Sequence, residues 1–201
     1  MTRRRRRAIA AATLLTCAAP LGVAQAQEEK RKQDNKAVAT IEQDGGRAFD
    51  FKWSLRRESG ELVDNHNVAN AAARCTDCRA TAIAFQVVLV SGSPSKILPK
   101  NQAVAINDAC TRCVVYAGAR QFVRTVGAGG AKFTGDGIAT LADVRKVLRA
   151  LEGQDLTVAQ QQAEVEKQEV RVIKVLTSQV VTTKGKRAKL TRPDDNQADD
   201  S

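Results

Sequence analysis

The sequence predicts an α+β fold that is mainly α: an N-terminal β-hairpin packed on an antiparallel helical hairpin, with one or two further helices. Three observations point there. Phe49, Phe51, Trp53 and Leu55 alternate with Asp50, Lys52, Ser54 and Arg56, the period of a half-buried strand. Ala71, Cys75, Cys78, Ala82, Phe85 and Leu89 recur at three- and four-residue steps, the stripe of an amphipathic helix. After a Gly/Pro-containing break the spacing returns at Ala103, Ile106, Cys110, Cys113 and Ala117.

The chain opens on a basic run, Arg3 to Arg7, then an apolar stretch from Ala8 to Val23, then Ala24-Gln25-Ala26, a small-x-small cleavage pattern. Residues 1–26 are therefore expected to be a signal peptide and the mature chain to begin near Gln27. Arg6-Arg7-Ala8-Ile9-Ala10 is a partial twin-arginine signal, and Leu14-Leu15-Thr16-Cys17 is a lipobox spoiled by Thr before the Cys. General and twin-arginine export both stay open. Pro20 interrupts the apolar stretch, which falls short of the roughly 20 residues that span a membrane, and no later segment is long enough. A secreted, extracellular or envelope-associated product without a transmembrane segment is expected.

Residues 27–35 read as a disordered linker and 36–181 as one domain. Its hairpin, 36–57, turns at Asp44-Gly45-Gly46, a sequence suited to positive φ. The helical hairpin covers 67–126, with Asn101 as the N-cap of its second arm. Its two arms look duplicated, because Cys75-Thr76-x-Cys78, Ala82, Ala84, Gln86 and Val88 recur as Cys110-Thr111-x-Cys113, Ala117, Ala119, Gln121 and Val123. Two copies suit a pseudo-symmetric hairpin better than a solenoid, which needs at least three units. A loop is expected over Gly127 to Gly137. C-terminal helices over 138–181 follow: one through Leu141, Val144, Val147, Leu148 and Leu151, closed by Gly153, and one beginning near Asp155. From Val170 to Val181 the β-branched content leaves helix and strand both open, and helix is the reading adopted. Residues 182–201 read as a disordered, charged tail.

The formal net charge of +10 falls to +5 when a leader carrying five of the 32 basic residues and no acids is removed. Much of the remaining basicity lies in Lys184 to Lys189, followed by Asp194, Asp195, Asp199 and Asp200, a solvated tail more than a nucleic-acid surface. This pattern does not suit nucleic acid as a partner, whereas a protein or an envelope component fits.

With Cys17 lost in the leader, Cys75, Cys78, Cys110 and Cys113 remain, and an even number in an exported chain counts first as disulfides. In an antiparallel hairpin, residues whose numbers share a sum lie level, which pairs Cys75 with Cys113 and Cys78 with Cys110. Three readings stay open: structural disulfides in that pairing with no metal or cofactor, one zinc held by all four sulfurs, or a redox-active pair. His66 is the single histidine, expected in a loop, so no His-Glu-x-x-His zinc-protease site exists. Gly127-Ala128-Gly129-Gly130 lacks the next glycine of a dinucleotide fingerprint, where Lys132 stands. No base is placed to activate a nucleophile, and no enzyme is expected.

Cys75-Thr76-Asp77-Cys78-Arg79, the run Ala84 to Val90, Leu55-Arg56-Arg57 with Val63-Asp64, and Lys132-Phe133-Thr134 together make the chain resemble a group of exported actinobacterial proteins of uncharacterised function with twin Cys-Thr-x-Cys helices. The resemblance runs from about Asn35 to Gly153. The region is also similar to parts of longer chains labelled peptide zinc metalloproteases, whose chemistry needs residues this sequence lacks. What the resemblance implies is the architecture, with no activity.

Overall fold

The computed structural model describes residues 34–127 and 129–182, and it corrects the expected fold class. Strands dominate. The region 67–126, expected as a helical hairpin, belongs to strands: β3 (Leu62–Ala73), β4 (Arg79–Ser91), β5 (Lys96–Asn107) and β6 (Val114–Thr125). The expected β-hairpin over 36–57 is also corrected. Its arms, β1 (Asn35–Ile41) and β2 (Arg47–Ser59), are strands that do not pair with each other. They begin two separate parallel sheets, of order β1-β3-β5 and β2-β4-β6.

The result is a three-rung parallel β-solenoid, each rung contributing one strand to each sheet. Asn35 pairs with Asn67 and Asn67 with Asn101, while Trp53 pairs with Phe85 and Phe85 with Arg120. The duplication seen in the sequence thus has a third copy in the first rung, where Gln43 and Gly46 stand level with the cysteine positions. That supplies the three units that stacking repeats need to bury a continuous core.

Side-chain alternation explains how β4 serves two cores at once. Its even positions Ala80, Ala82 and Ala84 point into the solenoid, against Ala37, Ala39, Ala69, Ala71 and Ala73 of the opposite sheet. Side chains this small let the two sheets approach closely. Its odd positions Ile83, Phe85, Val87 and Leu89 point outward, to a second core closed by helices. A strand buried on both faces reads as a continuous apolar run, which is why period-two alternation was invisible there and the helical stripe misled.

The outer face is covered by α1 (Gly135–Arg149) and α2 (Val158–Ser178). Leu141, Val144 and Leu148 of α1 and Val165, Val172, Val175 and Leu176 of α2 face the sheet. Thr134 caps α1 by accepting from the Gly137 N–H, and Thr157 with Gln160 forms a capping box on α2. The β-branched run from Val170 is helical as far as Ser178. Beyond it, β8 (Val180–Thr182) pairs antiparallel with β7 (Ala131–Phe133), a short strand inside the expected loop. The expected signal peptide, nearly all of the linker and all but the first residue of the tail lie outside the described residues. No described helix is long and apolar enough to cross a membrane.

Candidate functional site

Two places concentrate chemistry: the turns that join the sheets within each rung, and a groove between β2 and α1. The turns are level with one another and continue the ladder around the corner. Gly45 N–H donates to the Thr76 carbonyl at 2.8 Å, and Asp77 N–H donates to the Thr111 carbonyl at 2.9 Å. Gly45, Asp77 and Arg112 occupy the same turn position with φ of 67°, 57° and 55°. The first rung uses glycine for this left-handed residue, and the other two use Asp and Arg joined side chain to side chain. That ion pair holds the Asp77 carboxyl below its ordinary range and the Arg112 guanidinium above its own. Ala109 adds one residue to the third turn, and its φ of 50° absorbs the insertion.

The turns bring all four predicted cysteines together, their sulfurs within 4.8 Å of one another. Cys75 is bonded to Cys78, with Cα atoms 6.0 Å apart, and Cys110 to Cys113, at 5.9 Å. The expected pairing of Cys75 with Cys113 and Cys78 with Cys110 followed from an antiparallel hairpin. Stacked parallel rungs instead put Cys78 level with Cys113, Sγ to Sγ 3.1 Å, and each bond closes within its own motif. Cys78 also lies 3.8 Å from Cys110. The inner pair is buried, Cys75 at 7% and Cys78 at 2% exposure, while the outer pair is half-buried and open on the third-rung side. Four sulfurs so placed are a possible metal-binding group as well as two disulfides.

His66 lies in β3, not in a loop, 3.2 Å from Asp64 and 3.5 Å from Asp34. Other polar residues stack between rungs. Asn35 donates to the Asn67 side chain at 2.7 Å and Asn67 to that of Asn101 at 2.8 Å. Asn35 also donates to the Phe85 carbonyl, Asn67 to that of Ala84 and Asn101 to that of Ala119. Gln121 continues the pattern by donating to Gln86 at 2.6 Å. The sequence signal for this asparagine ladder is Asn-x-Ala-x-Ala, which occurs three times, at Asn35, Asn67 and Asn101, and is not part of the Cys-Thr-x-Cys duplication.

The groove has an apolar floor of Trp53, Leu55, Ile138 and Leu141 and a volume of about 530 Å³. Arg145, Lys146 and Arg149 rim it, and among the described residues none has an acidic partner within salt-bridge distance. Lys146 and Arg149 also complement the negative end of the α1 dipole, a sufficient structural reason for two of the three. The groove is more than a helix end, however, because it runs along β2, the edge strand of its sheet among the described residues. A second, polar depression of about 410 Å³ continues past Trp53 through Arg56, Arg57 and Glu58. No family model, curated protein or solved structure matches the chain.

Proposed function

We propose that the chain is an exported, non-enzymatic binding module that takes an acidic, extended polypeptide segment along the edge of β2. The observation that carries the reading is the coincidence of three features on one face: a parallel strand edge without a further strand partner among the described residues, an apolar trough, and cations without acidic partners among those same residues. A strand edge offers backbone N–H and C=O groups to an added strand, which fixes an extended occupant. Leu55 and Ile138 are 44% and 58% exposed, so alternate apolar side chains of that segment would find a surface. Arg56, Arg57, Arg145, Lys146 and Arg149 set its charge as acidic and steer its approach.

The non-enzymatic part of the proposal rests on how the reactive side chains are employed. The asparagines and Gln86 hold rungs together, His66 is flanked by two carboxylates, and the cysteines close the turns. Turnover by the purified chain in a disulfide-reductase or isomerase assay would overturn it.

Trp53 is the chain's single tryptophan, so its fluorescence reports on the trough directly. The probe is a nine-residue peptide alternating Leu and Glu, titrated against the full chain at low and moderate salt. Saturable change in Trp53 emission, weakened by salt and lost in the triple variant Arg145→Glu, Lys146→Glu, Arg149→Glu, is the expected result. Equal response to a Leu-Lys peptide, or no response to either, defeats the proposal.

A further inference from the structure

We infer that the four-cysteine cluster has a second state, in which reduction of both disulfides creates a site for one zinc ion bridging the second and third rungs. The inference does not depend on the groove, since the turns and the β2–α1 trough are separate places in the fold.

The geometry carries it. A zinc ion bound by four thiolates at about 2.3 Å has sulfur–sulfur edges of about 3.8 Å. Across the rungs, Cys78 to Cys110 stands at that separation, 3.8 Å, and Cys78 to Cys113 is closer, at 3.1 Å, with all four sulfurs inside 4.8 Å. Forming the site therefore requires each bonded pair to open and Cys113 to draw back slightly from Cys78, while the stacking of the two turns is kept. The spacing is fixed by backbone and not by the sulfurs. Thr111 N–H donates to the Cys75 carbonyl at 3.3 Å and Val114 N–H to that of Cys78 at 2.9 Å, so the two turns stay stacked whichever bonds the sulfurs make. Burial favours the same outcome, because two buried and two half-buried sulfurs shield a bound ion while the outer rung admits it. The first rung adds no sulfur, since Gln43 and Gly46 stand in its place, so the described residues offer one four-sulfur site.

The chemistry balances as follows. Each S–S bond accepts two electrons and two protons from one equivalent of a small dithiol, which leaves as its cyclic disulfide; two equivalents yield four thiols. Zn²⁺ then forms four Zn–S bonds and four protons are released. The two states staple different things. Each disulfide closes one turn, whereas the ion would join two rungs.

The test uses the full chain, reduced with a dithiol under anaerobic conditions, desalted, and titrated with Co²⁺ as a spectroscopic stand-in for Zn²⁺. A tetrahedral tetrathiolate spectrum saturating at one ion per chain and displaced by Zn²⁺ is expected, with a melting temperature that climbs with free Zn²⁺. Cys113→Ser should lose that spectrum, and the oxidised chain should take up no ion. Gln43→Ala, in the first turn, should bind as the parent does. Far-UV circular dichroism on each sample separates a lost site from a lost fold. A reduced chain that keeps its β signature yet shows no tetrathiolate spectrum, or Cys113→Ser binding with the parent's spectrum, would overturn the inference.

Discussion

Asn67 shows how a single polar side chain can hold a solenoid together. It is 0% exposed, accepts from Asn35, and donates to Asn101 and to the Ala84 carbonyl. Replacing it leaves three groups without their partner, two of them in the interior, and an unpaired buried polar group costs more than a hydrogen bond gains. Asn67→Ala is expected to lower stability by about 3 kcal/mol. Asn101 ends the ladder on an exposed strand, where water replaces lost partners, and Asn101→Ala should cost about 1 kcal/mol. Urea unfolding midpoints of the two variants decide it, and equal losses would show that the ladder does not act through burial. Tyr116 illustrates a different demand on a residue, a close approach. A Cβ on Gly118 would lie 2.7 Å from its hydroxyl, so glycine is what lets the ring lie flat along β6. Desolvation there pushes the phenol above its ordinary range.

Among the elements, β4 is the one on which both cores depend. Phe85 stacks on Trp53 at 6.0 Å and meets Phe122 at 6.1 Å, joining all three rungs on the helix-covered face. Phe85→Ala removes a wholly buried ring from the middle of that stack and is expected to cost about 4 kcal/mol, read as a lower urea midpoint with an unchanged slope. The same element explains what the sequence could and could not disclose. β2 was legible as a strand because one of its faces is polar, and α1 and α2 were legible because their outer faces are charged. β4 carries apolar or alanine side chains on both faces, so its three- and four-residue coincidences through Cys75, Cys78, Ala82 and Phe85 mimicked a helix. The clustering of four cysteines was legible from the two motifs, but their bonding was not, since it turns on whether neighbouring segments run parallel. The groove was invisible because it needs α1 placed against β2, a contact no local pattern encodes.

On the scale of the whole molecule, the bonding pattern of the sulfurs decides how much of the fold depends on oxidation. A bridge between Cys75 and Cys113 would close a loop of 39 residues and, in the chain-entropy description, stabilise by about 4 kcal/mol. Bridges inside Cys-x-x-Cys close rings of four residues, worth about 2 kcal/mol each. The rungs themselves are held by backbone ladders, the asparagine stack and the helix-covered core, none of which involves sulfur. Reduction without metal should therefore lower stability by no more than about 4 kcal/mol in total while leaving the strand and helix content intact. Circular dichroism at neutral pH with and without a dithiol, followed by urea titration of both forms, measures this. Collapse of the far-UV signal on reduction would mean that the turns nucleate the solenoid and are not closed by it. A preserved signal with a shifted midpoint would show that the stack of rungs supplies the fold and the cysteines only tighten its corner.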